Sequence, residues 1–121
     1  MIAGLHHVQL AMPRGREADA RTFYASVLGM TEIVKPPHLA VRGGVWFSAG
    51  GAQLHLGVED DFRPAKKAHP ALIVRGLKDL RARCEASGVP VAEDQPLDGF
   101  DRCYVSDPFG NRLELLEPRS P

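Results

Sequence analysis

Three histidines and one glutamate, His7, His55, His69 and Glu114, are the residues of this chain best suited to chemistry. Imidazole nitrogens and a carboxylate oxygen are donors that Zn²⁺, Fe²⁺, Mn²⁺, Ni²⁺ or Co²⁺ accept, and such a set leaves coordination positions open for water or substrate. Each residue alone has an ordinary explanation, because an antiparallel sheet often leaves one face in water and a histidine there needs no purpose. Their spacing sets them apart. Gly29 is separated from His55 by the same number of positions as Gly88 from Glu114, and His7 and His69 precede those two glycines. The stretch from His7 is three residues the longer, an insertion that the connection Pro13-Arg14-Gly15-Arg16 absorbs. Gly51-Ala52-Gln53-Leu54-His55-Leu56 lies over Gly110-Asn111-Arg112-Leu113-Glu114-Leu115 with glycine and both leucines in register. A duplicated unit with a pseudo-twofold axis would carry all four side chains toward one point as a divalent-metal site.

The elements that must position them follow from periodicity and from turn residues. Strands are expected over Leu5–Met12, Met30–Val34, Leu39–Ser48 and Ala52–Val58, with a helix over Ala18–Leu28 that ends at Gly29. The polar stretch Glu59–Lys67 connects the halves, and the order then repeats. Strands are expected over Pro70–Val74, Val89–Ala92, Arg102–Ser106 and Arg112–Glu117, with a helix over Leu77–Ser87 capped by Gly88. Ala49-Gly50-Gly51 and Asp107-Pro108-Phe109-Gly110-Asn111 supply the tight reversals. The fold class is α+β, built from two β-α-β-β-β units.

Side chains alternate across a strand, so these strands sort their residues into two faces. Val8, Leu10, Met12, Leu54, Leu56, Leu113 and Leu115 face the helices, and by the same parity His6 is a structural residue. The opposite face collects His7, Gln9, Arg42, Trp46, Gln53, His55, His69, Arg102, Tyr104, Arg112 and Glu114. Arg102 and Arg112 offer bidentate forks for a carboxylate or phosphate, and Trp46 and Tyr104 offer aromatic walls. Gln9 and Gln53 complete the candidate substrate-binding set.

Bulk properties limit the rest. At 121 residues, with 15 basic and 15 acidic side chains, the chain has the size of one domain and gives no electrostatic reason to expect nucleic acid or a membrane as partner. The start lacks a secretory pattern and no apolar run is long enough to span a bilayer, so a cytoplasmic protein is expected. Cys84 and Cys103 lack CxxC spacing and read as small buried hydrophobes.

Gly4-Leu5-His6-His7-Val8, the helix end from Phe23-Tyr24 to Leu28-Gly29, Lys67-Ala68-His69, and the run from Asp107-Pro108-Phe109-Gly110-Asn111 to Leu115 together resemble the vicinal oxygen chelate superfamily. That superfamily contains glyoxalase I, extradiol dioxygenases, methylmalonyl-CoA epimerase, fosfomycin-resistance enzymes and bleomycin-resistance proteins. The resemblance covers nearly the whole chain. It implies a single domain of two modules, about residues 1–60 and 66–121, forming a cupped eight-stranded mixed sheet around a divalent metal. It also implies His7, His69 and Glu114 as metal ligands. His55 stands where glyoxalases usually have a glutamate and the epimerases a glutamine. It is either a fourth ligand or, with Glu114, part of the catalytic machinery as a base, with Gln53 the alternative if the register slips. The activity implied is metal-dependent, of the lyase and isomerase kind found in glyoxalases or of the dioxygenase kind. The alternative is metal-free sequestration of a small molecule, as in the bleomycin-resistance relatives. A homodimer is expected, side by side or with modules exchanged.

Overall fold

The alternation of Val8, Leu10 and Met12 with Gln9 and Ala11 makes β1 (Val8–Met12), which buries Leu10 and Met12. The next element, α1, begins as an α-helical turn over Glu17–Ala20 and continues as a π-helix over Arg21–Val27. Its wide turn shows in the Leu28 N–H, which donates to the Phe23 carbonyl at 2.9 Å. Ala20, Phe23, Tyr24 and Val27 form its buried side, and Gly29 ends it in the left-handed conformation at φ 78°. Then come β2 (Thr31–Ile33), a short helix α2 (Pro37–Ala40), β3 (Val45–Ala49) and β4 (Ala52–Val58). After the connection lie β5 (Ala71–Ile73), α3 (Leu77–Ala86), β6 (Val91–Ala92), β7 (Phe100–Ser106) and β8 (Arg112–Pro118). The structure is a computed structural model that describes residues 1–120.

The eight strands hydrogen-bond as two mixed sheets of four, ordered β1-β4-β3-β2 and β5-β8-β7-β6. Each is the same β-α-β-β-β unit, with its first strand parallel to its last and antiparallel pairs filling the rest. The chain divides into two compact units, Met1–Pro64 and Ala65 onward. In the first, Tyr24 of α1 stacks on Phe47 of β3 with ring centroids 5.3 Å apart, over a core of Met12, Val45, Leu54 and Leu56. In the second, Leu77 and Cys84 of α3 are buried, as are Cys103, Val105, Leu113 and Leu115 of β7 and β8. Burial raises both thiol pKa values, and neither cysteine is in a disulfide. The Glu117 side chain of β8 accepts the N–H groups of Gly76 and Leu77 at 2.6 and 3.2 Å, so a neighbouring strand supplies the cap that opens α3.

The strand expected over Leu39–Ser48 begins only at Val45. Pro36 lacks an N–H for a ladder, and Pro37 has the fixed φ suited to the first helical position, so Pro37–Ala40 coils instead. Gly43 and Gly44 then take φ values of 78° and 85°, which ends the detour and admits the chain to the sheet. A Cβ on Gly44 would collide with the Leu56 carbonyl oxygen, so close backbone approach requires glycine there. Arg42, expected on the polar face of this strand, lies in that exposed turn instead. His6, expected to face the helices, is exposed.

Candidate functional site

Register places the first module's candidates beside one another. Gln9 and Trp46 both pair with His55 across the sheet, and Ser48 pairs with Gln53. His7 lies one residue before β1 and stacks on His55, with centroids 4.0 Å apart and ring planes 14° from parallel. Trp46 also stacks on His55, at 4.0 Å and 6°. His55 is therefore a filled layer between two aromatic rings, and its Nε2 lies 2.9 Å from the Gln53 side-chain oxygen, to which it donates. Burial, followed by the nearby positive charges of His7, His6 and Lys35, pushes the His55 pKa down to about 4. These residues line a cleft of about 550 Å³ together with Lys35 and Arg42. The Lys35 ammonium donates to the Gly43 carbonyl and lies 5.6 Å from the centroid of the Trp46 ring.

Stacking bears on coordination. An imidazole binds a metal along a lone pair lying in its own plane, and nearly parallel rings direct their lone pairs side by side. His7 and His55, as placed here, do not converge on one ion. His7 retains a route of its own: it is exposed, and its Nδ1 is 2.9 Å from Nδ1 of His6.

The second module gathers its candidates differently. The run Asp107-Pro108-Phe109-Gly110-Asn111 shapes the hairpin between β7 and β8 through a buried side-chain network. One Asp107 carboxyl oxygen accepts the N–H groups of Phe109 and Asn111 at 2.9 and 2.8 Å, and the other accepts the Asn111 amide at 2.9 Å. The Asn111 side-chain oxygen in turn accepts the Ala65 N–H at 2.9 Å, while Arg112 N–H donates to the Ala65 carbonyl at 2.8 Å. The connection is thereby tied to the last strand. Sequence reasoning recognised the proline and glycine of this turn but missed the roles of Asp107 and Asn111. The local signal is an aspartate whose side chain can bond the backbone two residues on.

That hairpin presents Tyr104 opposite Glu114 and Ser106 opposite Arg112. His69 lies two residues before β5; its Nδ1 is 2.8 Å from the Lys67 carbonyl and its Nε2 3.0 Å from Glu114 Oε1. Arg102 holds the other side of Glu114, donating to Oε2 at 3.1 Å. The same guanidinium donates to the Tyr104 hydroxyl at 3.0 Å and to the Gln95 carbonyl, so its fork is already occupied. Burial works to raise the Glu114 pKa, but hydrogen bonds from His69 and Arg102 outweigh it and hold the carboxyl below its usual value. Arg112 is disposed otherwise: its guanidinium carbon lies 3.7 Å from the Tyr104 ring centroid, a cation–π stack.

The His69–Glu114 pair is suited to a cation. A carbonyl oxygen only accepts, so Lys67 fixes a proton on Nδ1, and Nε2 faces the Glu114 carboxylate as an N–H donor in the imidazolium and as a lone pair in the neutral ring. Two acceptors face each other unless a second proton or a metal ion lies with them. Donors about 2.1 Å from one ion at a right angle are about 3.0 Å apart, which is the separation observed. The carbonyl behind Nδ1 is the usual support of a metal-binding imidazole. Among the described residues no group of three or more His, Cys, Asp or Glu side chains is arranged to hold a metal ion. No helix among them is long and apolar enough to cross a membrane.

Residues 4–115 match the model of the Glyoxalase/Bleomycin resistance protein/Dioxygenase superfamily. Comparison with curated proteins gives no match. Among solved structures, a glyoxalase family protein from Bacillus anthracis is 45% identical, with a TM-score of 0.94 and 98% of each chain covered. The fosfomycin resistance protein FosX from Listeria monocytogenes shares the fold at 20% identity and a TM-score of 0.76, over 98% of this chain and 96% of its own. TnmS3, an antibiotic binding protein from Streptomyces sp. CB03234, does so at 21% and 0.75, over 98% and 100%.

Proposed function

We propose, for a chain that belongs to the glyoxalase/bleomycin resistance protein/dioxygenase superfamily, a metal-dependent enzyme whose divalent cation is held by His69 and Glu114. The observation that carries the reading is the approach of His69 Nε2 to Glu114 Oε1 at 3.0 Å, with His69 Nδ1 held on the Lys67 carbonyl. A divalent ion held there supplies Lewis acidity toward a carbonyl, enolate or catecholate on a small substrate with two neighbouring oxygens. This chain's own groups prepare the site. The Lys67 carbonyl keeps the His69 proton on Nδ1, Arg102 orients Glu114 from its far oxygen, and Tyr104 packs its ring against His69 at 5.4 Å. His55 is assigned to the cleft wall rather than to the ligands, because Trp46 and His7 clamp it and Gln53 holds its Nε2. Gln9 and Trp46 line the same cleft, and a homodimer is part of the proposal.

The ring stack in the first module also supports a second reading. A cleft walled by Trp46, His55 and His7 suits a flat organic ligand held without metal. Metal content of untagged protein separates the two. The enzyme reading expects near-stoichiometric Zn, Fe, Mn, Ni or Co by mass spectrometry, lost in His69→Ala and Glu114→Gln but retained in His55→Ala. Absence of metal, with no rise in melting temperature on adding any of these ions, overturns it in favour of sequestration.

A further inference from the structure

Arg112 differs in its partners from Arg81, Arg102 and Arg119 of the same module. Arg81, Arg102 and Arg119 are each ion-paired, to Glu93 and Glu85, to Glu114 and to Asp101 respectively. Arg112 is half-buried, and among the described residues its guanidinium meets no carboxylate or carbonyl; its one contact is the face of Tyr104 at 3.7 Å. A guanidinium carries five N–H donors, and none of those on Arg112 is a buried atom without a partner, so they face solvent and are open to an incoming acceptor. The stack holds the fork in one plane, so little side-chain freedom remains to be lost when an acceptor arrives.

The surroundings share that bias. Arg112 borders a pocket of about 320 Å³, inside the second module, whose lining includes Lys66, Ser106 and Tyr104 and no acidic side chain. Ser106 is the register partner of Arg112 and lines the same pocket. Bonds from Ala65 to Arg112 and Asn111 fix the backbone next to Lys66, whose side chain lines the same pocket. With two cationic residues and no acidic one in its lining, the pocket favours an anion.

We infer that Arg112, with Lys66 and Ser106, forms a site for an oxyanion, the carboxylate, phosphate or phosphonate group of a small ligand. Tyr104 connects it to the proposed metal centre: one ring stacks on Arg112, pairs in register with Glu114 and meets the edge of His69. The substrate of that centre therefore carries an anionic group beside its chelating oxygens. This consequence rests on the metal reading, whereas the anion site stands on its own geometry.

The test uses metal-stripped, full-length protein in Tris-chloride, with phenylphosphonate, benzoate and neutral benzamide as probes in ligand-detected NMR titrations. At least one of the two acids is expected to bind tenfold or more tightly than benzamide, and the tighter acid identifies the preferred oxyanion. Arg112→Gln is expected to weaken the acids at least tenfold, Lys66→Gln about threefold, and Arg119→Gln not at all. Arg112→Lys, which keeps the charge but loses the fork, should fall between wild type and Arg112→Gln, and melting temperatures confirm that each variant is folded. Equal binding of benzamide and the acids, no binding of either acid, or unchanged affinity in a folded Arg112→Gln protein overturns the inference. Because no metal is present, these results leave the metal reading untouched, and loss of metal in His69 or Glu114 variants leaves this site untouched.

Discussion

Replacing Asp107 by alanine removes the acceptors of three hydrogen bonds at once, those from Phe109 N–H, Asn111 N–H and the Asn111 side-chain amide. Asp107 is 5% exposed and Asn111 0%, so water does not readily replace the lost oxygens. A buried donor left without a partner costs about 1–3 kcal/mol. Partial relaxation of the hairpin reduces the total, giving an expected loss of about 3–5 kcal/mol, a large part of the roughly 5–15 kcal/mol available to a domain of this size. In urea, with a slope of about 2 kcal/mol/M, the unfolding midpoint should fall by about 2 M. Asp107→Asn retains one carbonyl acceptor and should lose less. Combining Asp107→Ala with Asn111→Ala should cost less than the sum of the two single changes, because they break a shared bond. A loss below about 1 kcal/mol for Asp107→Ala, or strict additivity in the double variant, would refute the claim that this network holds the β7–β8 hairpin.

Glu17 accepts the Gly44 N–H at 2.8 Å, and that bond, helped by Arg21 and Lys35, outweighs burial and lowers its carboxyl pKa. A lowered folded-state value means stability present above the usual carboxylate pKa and lost as pH falls through the folded value. Glu17→Gln should thus cost about 1 kcal/mol at pH 7, and that cost should shrink as pH falls below the usual carboxylate range; a cost that does not change with pH would contradict the assignment. Gly44→Ala meets both φ 85° and the Leu56 carbonyl, whereas Gly50→Ala meets only φ 53° in open space. The first should cost about 2–4 kcal/mol and the second about 1 kcal/mol by chemical denaturation, and a reversed order would refute the close-approach argument.

The repeat was legible because it is written in distances along the chain. Gly29 and Gly88 both end helices at positive φ, and His55 and Glu114 hold matching places in β4 and β8. Face assignments from alternation also hold for Leu54, Leu56, Leu113 and Leu115, all buried in their modules. Alternation failed over residues 39–44, where apolar Leu39 and Val41 suggest a strand but the backbone limits of Pro36, Pro37, Gly43 and Gly44 prevail. Side-chain commitments were the least legible. Nothing in sequence separates Arg102, taken up by Glu114 and Gln95, from Arg112, stacked on Tyr104, because the difference lies in which neighbours each fork reaches. Likewise, equivalent positions predict that His7 and His55 correspond to His69 and Glu114. They do not predict that the first pair stacks face to face while the second meets through single polar atoms 3.0 Å apart.

The proposed centre is tested most directly by anomalous diffraction from crystals grown with Co²⁺ or Zn²⁺, recorded on either side of the metal's absorption edge. The account predicts a strong peak about 2.0–2.2 Å from both His69 Nε2 and a Glu114 oxygen, with His69 Nδ1 still on the Lys67 carbonyl. A peak elsewhere, or none at saturating metal with His69 still hydrogen-bonded to Glu114, would contradict it.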